Sequence, residues 1–285
     1  MKNHDLYKIH FSVFLFGFAG LFGKWIPLNA LTIVWGRVFF ASLAFGLMFL
    51  YRKQNPFKIS IKTSGIYLLL GGLLAFHWWS FFIAIQVSTV AIGLFSFSTF
   101  PVFTVFLEPI FFKEKWNPQF LFLVVLSIFG IYLLIPNLSL NSEYFGGITW
   151  GITSGFSFSL LTILNRLLLK KQSAVEISFL QDFFAFLILS PFILSQIGKL
   201  TSMDWLQVFI LGTIFTALAH ALFIGGLRTV QAKQASLIAN MEPVYGSLFA
   251  FLLLSEKLNW YQVIGACLII SSTIYSVFLL KSRDY

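Results

Sequence analysis

The chain has 285 residues, 58% of them hydrophobic and only 10% charged, and phenylalanine alone accounts for 37. An average soluble domain carries roughly 25% charged residues. A soluble fold of this length must also dress its outside in polar groups, so a water-soluble globule, a disordered chain and a disulfide scaffold are all excluded. The net charge of +9 and mean hydropathy of +0.88 leave a chain whose solvent is mostly lipid.

A spanning helix needs about 20 mostly apolar residues to cross a hydrocarbon core of roughly 30 Å. Runs of this kind predict ten helices, at about 9–26, 32–51, 65–85, 90–111, 119–135, 147–168, 177–197, 205–226, 235–254 and 260–280. The separating breaks are short, as at Pro27-Leu28-Asn29, Lys53-Gln54-Asn55-Pro56, Asn117-Pro118 and Pro136-Asn137. The count drops to nine if the separation around Ser88, or the one from Gln231 to Gln234, is not a true break. The runs are continuous rather than alternating, which argues against a β-barrel. A basic leader (Lys2, Lys8) raises a cleaved signal peptide, but Lys24-Trp25-Ile26-Pro27 is no small-residue cleavage site, so an uncleaved first helix is expected. Cys267 is the single cysteine, which rules out an intrachain disulfide and reads as a packing residue in the last span.

The positive charges orient these helices. With the N-terminus inside, fifteen fall in cytoplasmic segments: Lys2, Lys8, Arg52, Lys53, Lys58, Lys62, Lys113, Lys115, Arg166, Lys170, Lys171, Arg228, Lys233, Lys281 and Arg283. Three (Lys24, Lys199 and Lys257) fall outside, and Arg37 lies within a span. Lys and Arg flank cytoplasmic helix ends, so both termini are expected in the cytoplasm of a bacterial inner membrane, with an even number of spans. A nucleic-acid-binding patch is excluded, because the charges are spread over six separate segments.

The chain also repeats itself. At an offset of 142 residues, Pro101, Val102, Glu114, Lys115 and Asn117 coincide with Pro243, Val244, Glu256, Lys257 and Asn259. Phe39-Phe40-Ala41 matches Phe183-Phe184-Ala185 at an offset of 144. Each copy holds five helices, an odd number, so the two copies must cross the membrane in opposite directions. Inverted repeats of this kind mark secondary transporters, with the site near the midplane between them.

On these residues the chain resembles the EamA type of the drug/metabolite transporter superfamily. Ala235 to Val244, Leu254-Ser255-Glu256-Lys257 and Gly265-Ala266 carry the resemblance in the second half. Ala91-Ile92-Gly93, Pro101-Val102, Lys113-Glu114-Lys115, Gly130 and the early Arg37 carry it in the first. Two departures stand out: Phe100 sits where the second copy has Glu242, and Ser255 replaces a glycine. The resemblance implies an all-α integral membrane fold of ten helices in two inverted five-helix repeats, residues 8–136 and 146–281. The family moves amino acids, metabolites, nucleotide-linked sugars and drugs, so the substrate is not implied.

Ionisable groups at membrane depth are costly and face a cavity or one another. This makes Arg37, His77, Gln181, Asp182, His220, Asn240 and Glu242 the candidate substrate- or ion-binding residues, with Glu108-Pro109 and Asn165 near the inner ends of their spans. Glu242 precedes a proline that frees backbone carbonyls and can expose a site; equally, it can be a structural carboxylate against a polar neighbour. Pro101 is expected to break the fourth span as Pro243 breaks the ninth, with Ser96, Ser98 and Thr99 satisfying freed backbone groups. His77 and His220 suit proton coupling or are simply hydrogen-bonded interior histidines. Trp78 offers an aromatic face for an organic or cationic substrate, and Arg37 suits a carboxylate or phosphate or a tie between helices. Gly147, Gly151 and Gly155 in the sixth span, and Gly17 and Gly20 in the first, form small-residue stripes for close helix packing.

The expected function is secondary transport of small organic metabolites, amino-acid-like or related, by alternating access and in the export direction, embedded in a lipid bilayer. The alternative is uptake or exchange of a nucleotide-like or sulfonium metabolite such as S-adenosylmethionine. Protons are a candidate coupling ion, and a homodimer is left open. No cofactor and no metal are implied, and Gly17 to Lys24 lacks phosphate-loop spacing. A membrane-embedded enzyme, the rival class, finds no H-E-x-x-H, no G-x-S-G and only Asp182 as an aspartate within the predicted spans.

Overall fold

A computed structural model describes residues 3–134, 145–254 and 260–281. Among them there are helices and no strands: α1 (Asn3–Ala19), α2 (Phe22–Trp25), α3 (Ala30–Tyr51), α4 (Ile61–Gln86), α5 (Val90–Phe97), α6 (Phe100–Phe112), α7 (Pro118–Leu134), α8 (Phe145–Leu168), α9 (Ala174–Ile197), α10 (Ser202–Gly212), a π-helical turn (Thr213–Leu218), α11 (Ala219–Gly226), α12 (Ala232–Ala239), α13 (Glu242–Leu254) and α14 (Trp260–Lys281). Among the described residues, eight segments are long and apolar enough to cross a membrane: His4–Trp25, Ala30–Tyr51, Ile61–Gln86, Val90–Phe112, Phe145–Leu168, Ala174–Ile197, Ser202–Gly226 and Ala232–Leu253. Shorter apolar stretches, Pro118–Gly130 and Val263–Ser272, lie within α7 and α14. The chain is a multi-pass membrane protein. The readings that rest on Lys2, Pro136-Asn137, Ser255 to Asn259 and Arg283 lie outside the described residues.

Polar residues start the helices where the sequence changes character. Asn29, Ser60 and Thr89 each accept a bond from the backbone N–H three residues on, and Ser173 with Glu176 and Thr201 with Asp204 form capping boxes. Turns at Val87–Thr89 and Leu227–Gln231 separate the segments that the sequence left closest to fusing. Cys267 differs from expectation: it is exposed on α14 rather than packed inside.

The two proline-linked breaks fall at matching places. α5 and α6 are interrupted at Ser98-Thr99, α12 and α13 at Asn240-Met241, and all four helices obey the offset of 142 at both ends. Pro101 and Pro243 each occupy the second position of the helix after the break, where their missing N–H had no intrahelical partner. The hydroxyls of Ser96, Ser98 and Thr99 donate to the carbonyls of Ile92, Leu94 and Ser96 at 2.7, 2.8 and 2.8 Å, as their positions suggested.

α5 packs against α13 and α6 against α12, so the two broken segments cross antiparallel at their breaks. α7 and α14 also run antiparallel: Ser127 bonds Ser272 at 2.8 Å, while Gly130 faces Gly265. α4 packs on α8 and α1 on α11 through matching bonds. Ser154 Oγ donates to the His77 carbonyl at 2.9 Å, and Ser12 Oγ to the Ala219 carbonyl at 2.7 Å, the same pair displaced by 142 in opposite senses.

The glycine stripes seat α8 and α1 on the breaks. A Cβ on Gly155 would stand 2.7 Å from the Phe97 carbonyl oxygen and 3.2 Å from the Phe100 nitrogen. Gly147 and Gly151 meet Ser88 and Ser96 in the same way, and Gly17 meets Tyr245 and the Glu242 carbonyl. Gly20 is less tight, facing a flexible Leu94 side chain. Gly155→Ala is expected to destabilise the protein by about 1–3 kcal/mol through overpacking. Gly65→Ala, with no atom within 4 Å of the added carbon, is expected to be neutral or stabilising by up to about 1 kcal/mol. Thermal denaturation in detergent compares the two.

Candidate functional site

At the centre of the bundle, Phe16 and Ala19 of α1, Arg37 of α3, His77, Trp78 and Phe81 of α4, Phe97 of α5, Phe158 of α8 and Glu242 of α13 line a cavity of about 340 Å³, its opening included. The walls are mainly aromatic, and the charged groups are one guanidinium and one carboxylate.

Arg37 is 2% exposed. Its Nε donates to Thr216 Oγ1 at 2.9 Å, and its Cζ lies 3.8 Å from the centre of the Trp78 ring. No other hydrogen bond ties it to a described residue, so the rest of the guanidinium fork keeps its donors. Thr216 belongs to the π-helical turn and donates in turn to the Leu211 carbonyl five residues back, at 2.7 Å. The insertion that widens the helix thus presents the hydroxyl that holds Arg37. Gly212, just before it, lets α10 approach the Arg37 carbonyl closely. π-helical turns favour functional positions, and nothing in the apolar run announces this one.

Glu242 opens α13 and is 4% exposed. Asp182 on α9 is fully buried, and it and Glu242 are the two acids whose charge acts on Arg37. Neither Asp182 oxygen has a hydrogen-bond partner, and Oδ1 stands 3.8 Å from His220 Nδ1 on α11, also unpartnered. The His220 ring meets the Trp78 ring edge-on with centroids 5.6 Å apart. Trp78 therefore has Arg37 over its face and His220 against it.

His77 is held differently. Its Nδ1 lies 3.1 Å from the Ser154 carbonyl oxygen, which can only accept, so the neutral ring carries its proton there. The ring stacks on Phe158 at 5.0 Å. Hydrogen bonding thus fixes an orientation while the ring still lines the cavity.

Of the residues singled out from sequence, Arg37, His77, Trp78, Asp182, His220 and Glu242 converge here. Gln181 does not join them: its amide nitrogen donates to Asn165 Oδ1 at 2.5 Å, a tie between α9 and α8. Asn240 sits at the α12–α13 break, fully buried, with neither side-chain polar atom bonded.

A second cluster joins α6, α8 and α12 at the end of the bundle where the sequence concentrates its Lys and Arg. The first N–H groups of α12 lack intrahelical acceptors, and Gln231 gives no side-chain cap. Glu108 on α6, fully buried, accepts from Ala232 N at 2.6 Å and Lys233 N at 2.8 Å, and takes Arg166 Nη1 of α8 at 2.6 Å. Glu114 binds Lys233 Nζ at 2.8 Å and approaches Arg166 at 3.6 Å. Glu108 is legible in the sequence as an acid near the inner end of its span, but its partners are not; a glutamate within an apolar run and a basic helix start are the available signals.

The family model described as "EamA-like transporter family" matches residues 8–135 and again 145–278. The chain belongs to this family. An uncharacterized transporter, YxxF, of Bacillus subtilis (strain 168) is 24% identical over 276 residues, 94% of this chain and 88% of that one. An S-adenosylmethionine uptake transporter of Rickettsia bellii (strain RML369-C) is 22% identical over 257 residues, covering 89% of this chain and 86% of its own. A probable amino-acid metabolite efflux pump of Escherichia coli (strain K12) is 25% identical over 195 residues, 64% of this chain and 65% of that one. One solved crystal structure superposes over 100% of both chains with a TM-score of 0.77 at 15% identity, a likeness of fold.

The polar cluster at the basic end has a pH signature. Burial pushes the Glu114 carboxyl up, but Lys233 and Arg166 outweigh this and hold it below the usual 4.5. A carboxyl held low in the folded state adds stability that is present at neutral pH and lost as pH falls below that value. Acidification from about pH 6 to about pH 3.5 is therefore expected to lower the Tm of the native protein more than that of Glu114→Gln. Thermal melts of both across this range check it.

Proposed function

We propose that this chain is a secondary transporter of small zwitterionic metabolites of the amino-acid type, carried through the cavity lined by Arg37, Trp78 and Glu242. The observation that carries the reading is a buried guanidinium with free donors and a buried carboxylate facing one aromatic-walled cavity. A bidentate guanidinium suits a carboxylate, Glu242 suits an ammonium, and the aromatic walls accept an apolar or cationic remainder. S-adenosylmethionine carries the same amino-acid head with a sulfonium, and Trp78 and Phe97 offer faces for that cation, which makes its uptake the second reading.

The proposed mechanism is alternating access between two inverted five-helix units, residues 8–136 and 146–281, spanning the membrane ten times. Supporting this, the equivalent broken segments α5–α6 and α12–α13 cross antiparallel, α5 against α13 and α6 against α12, and the equivalent helices α7 and α14 pair antiparallel. The charge distribution supports cytoplasmic termini in a bacterial inner membrane, and energy would come from an ion or substrate gradient.

Purified protein in liposomes, loaded with one amino acid and challenged with the labelled compound, tests the reading across the amino acids and S-adenosylmethionine. Counterflow of at least one is expected. Arg37→Gln and Glu242→Gln should each lower its kcat/KM about ten- to a hundredfold, the worth of a charged hydrogen bond. Unaltered counterflow in both variants would remove the cavity from the transport path.

A further inference from the structure

Asp182 and His220 stand beside the cavity without lining it. Both are nearly or fully buried, both Asp182 oxygens and His220 Nδ1 lack hydrogen-bond partners, and the two approach only to 3.8 Å. A buried carboxylate with no donor is costly in a low dielectric. A proton held by the pair answers that cost: on Nδ1 it makes an imidazolium beside a carboxylate, and on the carboxyl it makes an acid beside an imidazole. Either form is neutral overall, and loss of the proton leaves one negative charge.

We propose that Asp182 and His220 form a one-proton site, separate from the groups that hold the substrate, and that a carboxylate arriving at Arg37 drives proton uptake there. This rests on the substrate reading given above for the cavity. The Arg37 charge acts on both Asp182 and Glu242. A substrate carboxylate pairs with Arg37 and its ammonium with Glu242, so Asp182 loses its counter-charge and the pair takes a proton. By linkage, a proton on the pair then tightens carboxylate binding by the same factor. Substrate and proton travel in the same direction.

The surrounding charges are few. From the helices packed on the pair, α3 contributes Arg37 and α4 contributes His77, both of which act electrically on the cluster. α1 brings Ser12 against Ala219 and carries His10 two residues away, while its Asp5 and Lys8 bind each other. α8 carries Arg166, bonded to Glu108. The π-helical turn has no titratable group.

Trp78 supplies a readout that needs no substrate, because an imidazolium quenches an indole it touches and the His220 ring lies against Trp78. Tryptophan fluorescence of the full chain in detergent should show a pH-dependent component that disappears in Trp78→Phe and in His220→Gln. It should persist in His77→Gln and be displaced by about one pH unit or more in Asp182→Asn. A component that survives His220→Gln, or is unmoved in Asp182→Asn, overturns the proposal whatever the liposomes show.

Liposomes containing pyranine give the second arm. Any amino acid, or S-adenosylmethionine, that enters down its own gradient should acidify the lumen with about one proton per molecule in the native protein. That ratio should fall at least about tenfold in Asp182→Asn and His220→Gln. An equal ratio in native protein and both variants overturns the proton site. Failure of every compound to move sinks the substrate reading alone, since the fluorescence still decides the site.

Discussion

One buried charge organises the centre of this molecule. Arg37 lies almost wholly out of contact with solvent in a bundle whose outside is lipid, and an isolated ion in such a place costs several kcal/mol even after relaxation. Its surroundings are arranged against that cost. Thr216 takes one donor, the Trp78 face lies 3.8 Å from the guanidinium carbon, and the charges of Asp182 and Glu242 act on it from two other helices. Four elements are thereby tied to one side chain. None of the ties saturates the guanidinium fork, which distinguishes a site that can accept an anion from a tie that only holds helices.

The repeated architecture supplies a frame against which such residues can be read. The breaks after α5 and α12, the helices that follow them, and the serine-to-carbonyl bonds at His77 and Ala219 all obey one offset of 142. Where the two halves agree, the residues close backbone bonds or permit close packing. Where they differ, chemistry appears. Glu242 stands opposite Phe100 and His77 opposite Ala219 at that offset, while Arg37 stands opposite Gln181 at the offset of 144 seen in Phe39-Phe40-Ala41. The frame is shared, and the departures from it hold the polar groups of the cavity.

Much of this was legible in the sequence because lipid simplifies the rules. Continuous apolar runs fix the helices, and prolines at constant spacing locate the breaks. A polar residue within a run is conspicuous, which is why Arg37, His77, Trp78, Asp182, His220 and Glu242 could be named together. Their grouping could not be read from spacing alone, since it depends on which faces of α3, α4, α9, α11 and α13 turn inward. Gln181 shows the limit: adjacent to Asp182 in sequence, it points to Asn165 instead. The π-helical turn was hidden for another reason. It is made by backbone N–H groups that reach back five residues, as Ala219 N does to the Ile214 carbonyl, and an apolar run looks the same whether its backbone bonds close over four residues or five.

The cluster around Glu108 departs from the repeat at two of its residues. At the offset of 142, Glu108 corresponds to Ala250, which has no carboxylate, and Arg166 to Lys24. Among the described residues Lys24 meets neutral oxygens, the Ser88 carbonyl at 2.9 Å and the Gln86 carbonyl at 3.4 Å, while Glu256, the counterpart of Glu114, lies outside them. Arg166 meets a buried carboxylate that also caps α12. Drawing α6 away from α12 would strip a fully buried glutamate of two backbone donors and leave the first N–H groups of that helix unpaired, each a loss of about 1–3 kcal/mol unless water follows. Separating Lys24 from two exposed carbonyls carries no such loss. Among the described residues, then, the two similar halves are held at these two places by contacts of different kind, and the buried cluster around Glu108 is the one that water must enter before it can part.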